Sequence, residues 1–202
     1  MKSKFVIQLA LSVIMLLIIT SVHAQDSFFM KSGSANIEGT STLHEWRSDI
    51  TNIQCKGLFE VQNGIVRSVK SAEIKILVRG IKSTKGKIMN NKTYDAFKSE
   101  KNPYIIFTFV SGRVRTDSEN NSTIETSGNL SMAGEIHTIS LIAKVNILSN
   151  GDLHLSAVEK IKMTEYKMKP PTAVFGTIVV GDEVTVNFNL ILTLTIAQAK
   201  SK

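Results

Sequence analysis

The sequence predicts an all-β protein: an extended antiparallel β-barrel of about eight strands with one or two short helices. Three observations carry that reading. Apolar and polar side chains alternate with a period of two along most of the chain. Turn residues interrupt the alternation at short intervals. Only two stretches break the pattern, at residues 84–99 and 169–176.

The clearest strand runs over residues 182–196. Val184, Val186, Phe188, Leu190, Leu192, Leu194 and Ile196 take one face, and Thr185, Asn187, Asn189, Thr193 and Thr195 the other. Side chains alternate across a strand, so one face is dry and one wet. At about 3.4 Å per residue such a strand reaches about 40 Å, which suits a tilted barrel wall. Ala72, Ile74, Ile76 and Val78 repeat the pattern, as do Ile139, Leu141, Ala143, Val145 and Ile147, and then Leu153, Leu155 and Ala157. Asn150-Gly151 between alternating segments is a hairpin signal. Gln62-Asn63-Gly64 and Val180-Gly181-Asp182 read as similar turns, and residues 117–121 as a polar loop. The strands are expected over 34–39, 53–62, 68–79, 104–115, 123–132, 135–148, 152–163 and 182–196. Closing them into a barrel removes exposed edges.

The first interruption is polar, with Met89, Tyr94 and Phe97 at roughly helical spacing and Pro103 ending it. The second has Pro170-Pro171 in front and Gly176 behind, which suits a single helical turn with Phe175 packed inward. Tyr104–Val110 is apolar on both parities, so its outer face is expected to lie under the helix of residues 84–99.

The first 24 residues read as a cleaved signal peptide. Lys2 and Lys4 precede an apolar run from Phe5 to Ile19, and Val22-His23-Ala24 places small residues before the cut. The run is shorter than the roughly 20 apolar residues of a spanning helix. Cleavage after Ala24 predicts a periplasmic or secreted chain, with residues 25–202 as one domain. Cys55 stands alone, so no disulfide forms within the chain; it reads as an inert buried thiol.

No catalytic, metal or cofactor site is read from the sequence. His44-Glu45 begins like a zinc-protease motif, but Ser48 stands where the second ligand belongs. His137 and His154 have no ligand neighbour at metal spacing. The charge of +7 is mild for a nucleic-acid binder, and none is expected as a partner. Basic charge does concentrate on the polar insertion: Lys82, Lys85, Lys87, Lys92, Lys98 and Lys101 against Asp95 and Glu100. Such a cluster attracts an anionic head group or a membrane surface, with Lys85, Lys87 and Lys92 as the head-group candidates.

Four motifs then occur in order: Gly39-Thr40-Ser41-Thr42-Leu43-His44-Glu45-Trp46; Asn90-Asn91-Lys92-Thr93-Tyr94-Asp95-Ala96-Phe97 leading to Asn102-Pro103-Tyr104; Gly128-Asn129-Leu130-Ser131-Met132-Ala133-Gly134; and Met168-Lys169-Pro170-Pro171 through Phe175-Gly176 to Gly181-Asp182-Glu183. Together they resemble the YceI-like family of exported lipocalin-like barrels, over nearly all of the mature chain. The resemblance implies an apolar pocket that binds a polyisoprenoid or similar long-chain amphiphile, without catalysis. By strand parity the pocket candidates are Ile74, Ile76, Phe107, Phe109, Leu141, Phe188 and Leu190. His44, Trp46 and Phe175 are the barrel-end candidates. The expected partners are an isoprenoid-like lipid and, transiently, a membrane surface. The outer wall can pair with a second copy, so a homodimer stays open. The competing reading is a barrel filled by its own side chains, acting as an envelope or stress interaction protein through its surface.

Overall fold

A computed structural model describes residues 26–117 and 121–195. The expected signal peptide lies outside the described residues. The elements are β1 (Asp26–Ser41), β2 (Trp46–Ile50), β3 (Ile53–Gln62), β4 (Ile65–Leu77), β5 (Ile81–Ser83), α1 (Lys87–Ala96), β6 (Tyr104–Thr116), β7 (Ser122–Met132), β8 (Glu135–Ile147), β9 (Leu153–Lys162), β10 (Thr172–Ala173) and β11 (Ile178–Leu194).

The wall is a ring of antiparallel pairs, β1–β3–β4–β6–β7–β8–β9–β11, closed by β11 on β1. Two wall strands are broken. β3 pairs with Asp26–Phe29 of β1, and β2 continues it along Asn36–Gly39. Likewise β5 prolongs β4 beyond a tight turn at Val78–Gly80. The backbones stay bonded across the breaks, with Thr51 N donating to Gly80 O at 2.9 Å and Leu77 N to Asn52 O at 3.1 Å. The expected barrel of about eight strands is therefore correct.

Local expectations needed correction where the alternation slips. β1 begins eight residues before position 34. Its first part hides from a period-two reading because the register shifts between Met30 and Ser32. Phe28 faces inward before the shift, and Ala35 and Ile37 after it, so the buried parity changes. Gly33 follows the shift with φ +142°, and a Cβ there would collide with the Asn189 carbonyl of β11. Val180-Gly181-Asp182 is not a turn. It lies inside β11, which starts at Ile178, and Gly181 lets that strand pack on Thr40. Residues 169–176 form the two-residue β10 and a 3-10 turn at Val174–Gly176.

The helix is also placed differently. α1 does not cover the outer face of β6, where Tyr104 and Val110 stay exposed. Instead Lys75 Nζ lies 4.0 Å over the Tyr104 ring, covering it with a cation. α1 crosses the end of the barrel, tied to the broken wall by Tyr94. Its hydroxyl lies 3.0 Å from Arg79 O and accepts from Lys82 Nζ at 2.8 Å. Asn90 Oδ1 accepts from Ser83 N at 2.7 Å.

The opposite end is packed solid. Phe28 and Phe59 meet edge to face, ring centres 5.7 Å apart. Val66, Val145, Leu153, Leu190 and Leu192 are almost fully buried around them. Cys55 is buried too, and burial pushes its thiol up to about 12.

Candidate functional site

Under α1 the barrel is hollow. A cavity of about 250 Å³ opens at this end. Its deepest ring comprises Ile37, Ile74, Phe107, Leu130, Leu141, Glu159 and Phe188, one lining residue from each of seven wall strands. Below that ring lie Ala35, Ala143 and Ala157. Phe188 pairs in register with both Ala35 and Ala157, whose small side chains leave room for its ring. The layer above is Ile76, Ile105, Met132, Ile139, Ile161 and Val184, all apolar. Met89, Thr93, Ala96 and Phe97 look down from the helical segment. Ser41, His44, Trp46, Lys85, Lys92, Pro171 and Ala173 also line the cavity, from its open end.

Local chemistry fixes the rim. Trp46 Nε1 donates to Thr40 O at 2.9 Å, so the indole is held across the start of β2. Gly39 lies beneath it, and a Cβ there would come within 2.5 Å of the ring. Ser41 Oγ accepts from His44 N at 3.1 Å and donates to His44 O at 2.7 Å, which folds residues 41–44 into a tight loop. Thr42 N donates to Val179 O at 2.9 Å, tying that loop to the start of β11. Leu43, Ile88, Val174 and Phe175 are exposed on the three connections at this end. Val174 and Phe175 both take left-handed backbone angles, φ 49° and 51°, which are strained for such side chains.

Of the pocket candidates, Ile74, Ile76, Phe107, Leu141 and Phe188 line this one cavity, as do Lys85, Lys92, His44 and Trp46. The others lie elsewhere. Leu190 is the next inward residue of β11 and belongs to the solid end, fully buried. Phe109 sits at a register shift between Phe109 and Ser111, after which Val114 rather than an odd-numbered residue packs on the core. Phe175 is fully exposed instead of packing inward, on a 3-10 turn whose backbone is left-handed at that residue, φ 51°. Lys87 opens α1 on its exposed side, outside the cavity.

Glu159 was missed. Its signal was readable, since Leu153, Leu155, Ala157, Glu159 and Ile161 share one parity of β9. The three histidines among the described residues are scattered: His44 lines the cavity, the His137 ring centre lies 4.8 Å from that of Tyr166, and His154 Nε2 is 2.7 Å from Asn189 Oδ1. Among the described residues no three metal-ligating side chains cluster.

A closed antiparallel barrel of eight wall strands, solid at one end and hollow under a helix at the other, defines a lipocalin-like container. The YceI-like domain matches residues 24–192, and the chain belongs to that family. Three solved structures share the fold. BcnA of Burkholderia cenocepacia is 17% identical with a TM-score of 0.64, covering 80% of this chain and 96% of its own. A polyisoprenoid binding domain from Saccharophagus degradans, implicated in plant cell wall breakdown, is 13% identical with a TM-score of 0.63, covering 83% and 98%. A Campylobacter jejuni YceI protein is 19% identical with a TM-score of 0.55, covering 73% and 84%. No curated protein matches the sequence.

Proposed function

We propose that this chain is an exported binding protein, not an enzyme, that holds a polyisoprenoid or similar long-chain amphiphile in the barrel. The observation that carries this reading is the cavity: apolar over nearly its whole lining, open at one end and sealed at the other by packed side chains. The family membership and the polyisoprenoid-binding relative support it. The cavity also weighs against a barrel filled by its own side chains.

At about 0.8 kcal/mol per buried CH₂, a five-carbon isoprene unit contributes roughly 3–4 kcal/mol on leaving water. The cavity, at about 250 Å³, is a little smaller than the roughly 300–1,000 Å³ of drug-sized pockets. It takes part of a long chain, and the rest extends past α1. A bilayer also shelters such a chain, so exchange with a membrane is close to neutral in apolar energy. The rim then matters. Leu43, Ile88, Val174 and Phe175 offer apolar contacts, and Lys85 and Lys92 offer positive charge to anionic lipid head groups. We place this exchange in the periplasm, after removal of residues 1–24.

The test is native mass spectrometry of the mature protein purified gently from the envelope, followed by organic extraction. A bound species with repeating isoprene mass units is the expected result. An empty protein that also refuses added prenols overturns the reading.

A further inference from the structure

β9 carries a single charged residue on its inward face. Leu153, Leu155, Ala157, Ile161 and Met163 point into the barrel, and Glu159 interrupts them. It pairs across the ladder with Val186, another cavity residue. It is also the cavity residue of β9 nearest the solid end.

No hydrogen bond or ion pair within the described residues reaches its carboxylate. Neighbouring acids are held: Glu183 by Lys160 at 3.0 Å, Glu135 by Lys167 at 3.0 Å, and Asp182 by Thr164 Oγ1 at 2.7 Å. Burial pushes the Glu159 carboxyl above its ordinary value. The Tyr166 hydroxyl, just outside the lining, is buried without a bonding partner. Burial, then the charges of Glu165 and Glu159, push that phenol up as well, so Glu159 is within electrostatic reach of it.

An apolar tail resting on this floor would strip water from an unpaired acid and return nothing. A hydrogen-bond donor placed there would satisfy the acid and form a charge-assisted bond. We infer that the cavity takes its amphiphile polar end first, with a hydroxyl or amine donating to Glu159 at the floor and the apolar chain running out past Trp46 and α1. This rests on the lipid-holding reading above and adds the orientation and the head-group class. The rim lysines then face the membrane and not the buried head group.

Trp46 is the only tryptophan in the sequence and lines the cavity, so its fluorescence reports occupancy. Dodecanol, dodecylamine and dodecane would be titrated into the wild-type protein, Glu159→Gln and Glu159→Leu. The alcohol and the amine should bind wild type roughly tenfold or more tightly than the hydrocarbon. Glu159→Leu should abolish that difference and tighten dodecane. Glu159→Gln should keep the alcohol but lose any extra affinity for the amine, which separates a neutral head group from a cationic one. Dodecanol brominated at its far carbon should quench Trp46, and dodecanol brominated beside the hydroxyl should not. Thermal unfolding of each variant checks that it is folded. Equal binding of alcohol and hydrocarbon by wild type, or quenching only by the bromine beside the hydroxyl, overturns the polar-end-first inference and leaves a lipid carrier standing. Failure of every chain to bind wild type and both variants overturns the carrier reading and this inference together.

Discussion

At one end of the barrel, hairpins join β3 to β4 and β8 to β9, and the wall strands deliver Phe28, Phe59, Val66, Leu153, Leu190 and Leu192 to the axis. At the other lie α1, β10, the residues 42–45 loop and the β7–β8 turn, and the same strands line a cavity with Ile, Val, Met, Leu and Phe side chains. The alternation of side chains is the same at both ends. What differs is whether side chains meet across the axis. Phe28, Phe59, Leu190 and Leu192 are packed closed at one end, whereas Phe107, Leu130, Leu141 and Phe188 line open space at the other, and the helix roofs that space. A container thus arises within one sheet whose inward face is apolar at both ends.

Mutations that exchange the two conditions test this comparison. The largest effect is expected at the solid end. Leu190→Ala should lower stability by about 2–5 kcal/mol, read from urea unfolding, because the tightly packed neighbours cannot close the void. Leu141→Ala, beside the existing cavity, should cost less. Equal losses would mean that the cavity does not lighten the packing around it.

The reverse exchange fills the hollow end. Ile76→Trp should abolish uptake of prenols while costing no more than about 1–3 kcal/mol, the usual penalty for overpacking. Uptake that survives the substitution would place the lipid elsewhere.

Cys55 reports on the wall itself. With its thiol pushed up to about 12 by burial, a thiol reagent at mildly alkaline pH should leave the native protein unlabelled and label it once unfolded. The sign for stability follows. Below the ordinary thiol value of 9.0 both states keep the proton, and no pH dependence arises. Above it the unfolded chain ionises first, so the fold weakens as pH climbs toward about 12. A stability that stays flat over that range would show that the thiol is not buried in the native barrel.

The smallest effect on the fold, and one specific to the rim, is expected from Phe175→Ser combined with Ile88→Ser. Stability should change by no more than about 0.5 kcal/mol per site. Binding to anionic vesicles should fall, and Lys85→Gln with Lys92→Gln should flatten its salt dependence. Unchanged vesicle binding in both double variants would remove the rim from the exchange step.

The sequence shows the barrel because alternation is local and survives any curvature of the sheet. It does not show the register shifts in β1 and β6, since one extra residue changes the buried parity without altering composition. Phe109 precedes the β6 shift and keeps the parity of Phe107, yet lies outside the cavity lining, as Leu190 does beyond Phe188. Parity says which side faces inward but not how far along the axis a side chain lies. Phe175 is an aromatic on a connection, where no periodicity says which way it turns. Glu159 was legible as a charged interruption of an apolar parity. Its significance appears only when the cavity around it is seen to offer no partner.

The ring closes through β1 and β11, elements from nearly opposite ends of the described chain. Until the last strand has been synthesised, β1 has no partner along one edge and the barrel cannot shut. Contacts so distant in sequence form slowly, on the order of milliseconds to seconds in proteins dominated by them. On the proposed export route this delay is useful. A polypeptide that cannot complete its fold early remains threadable through a translocation channel. Its unpaired edge would need a chaperone's cover until it emerges.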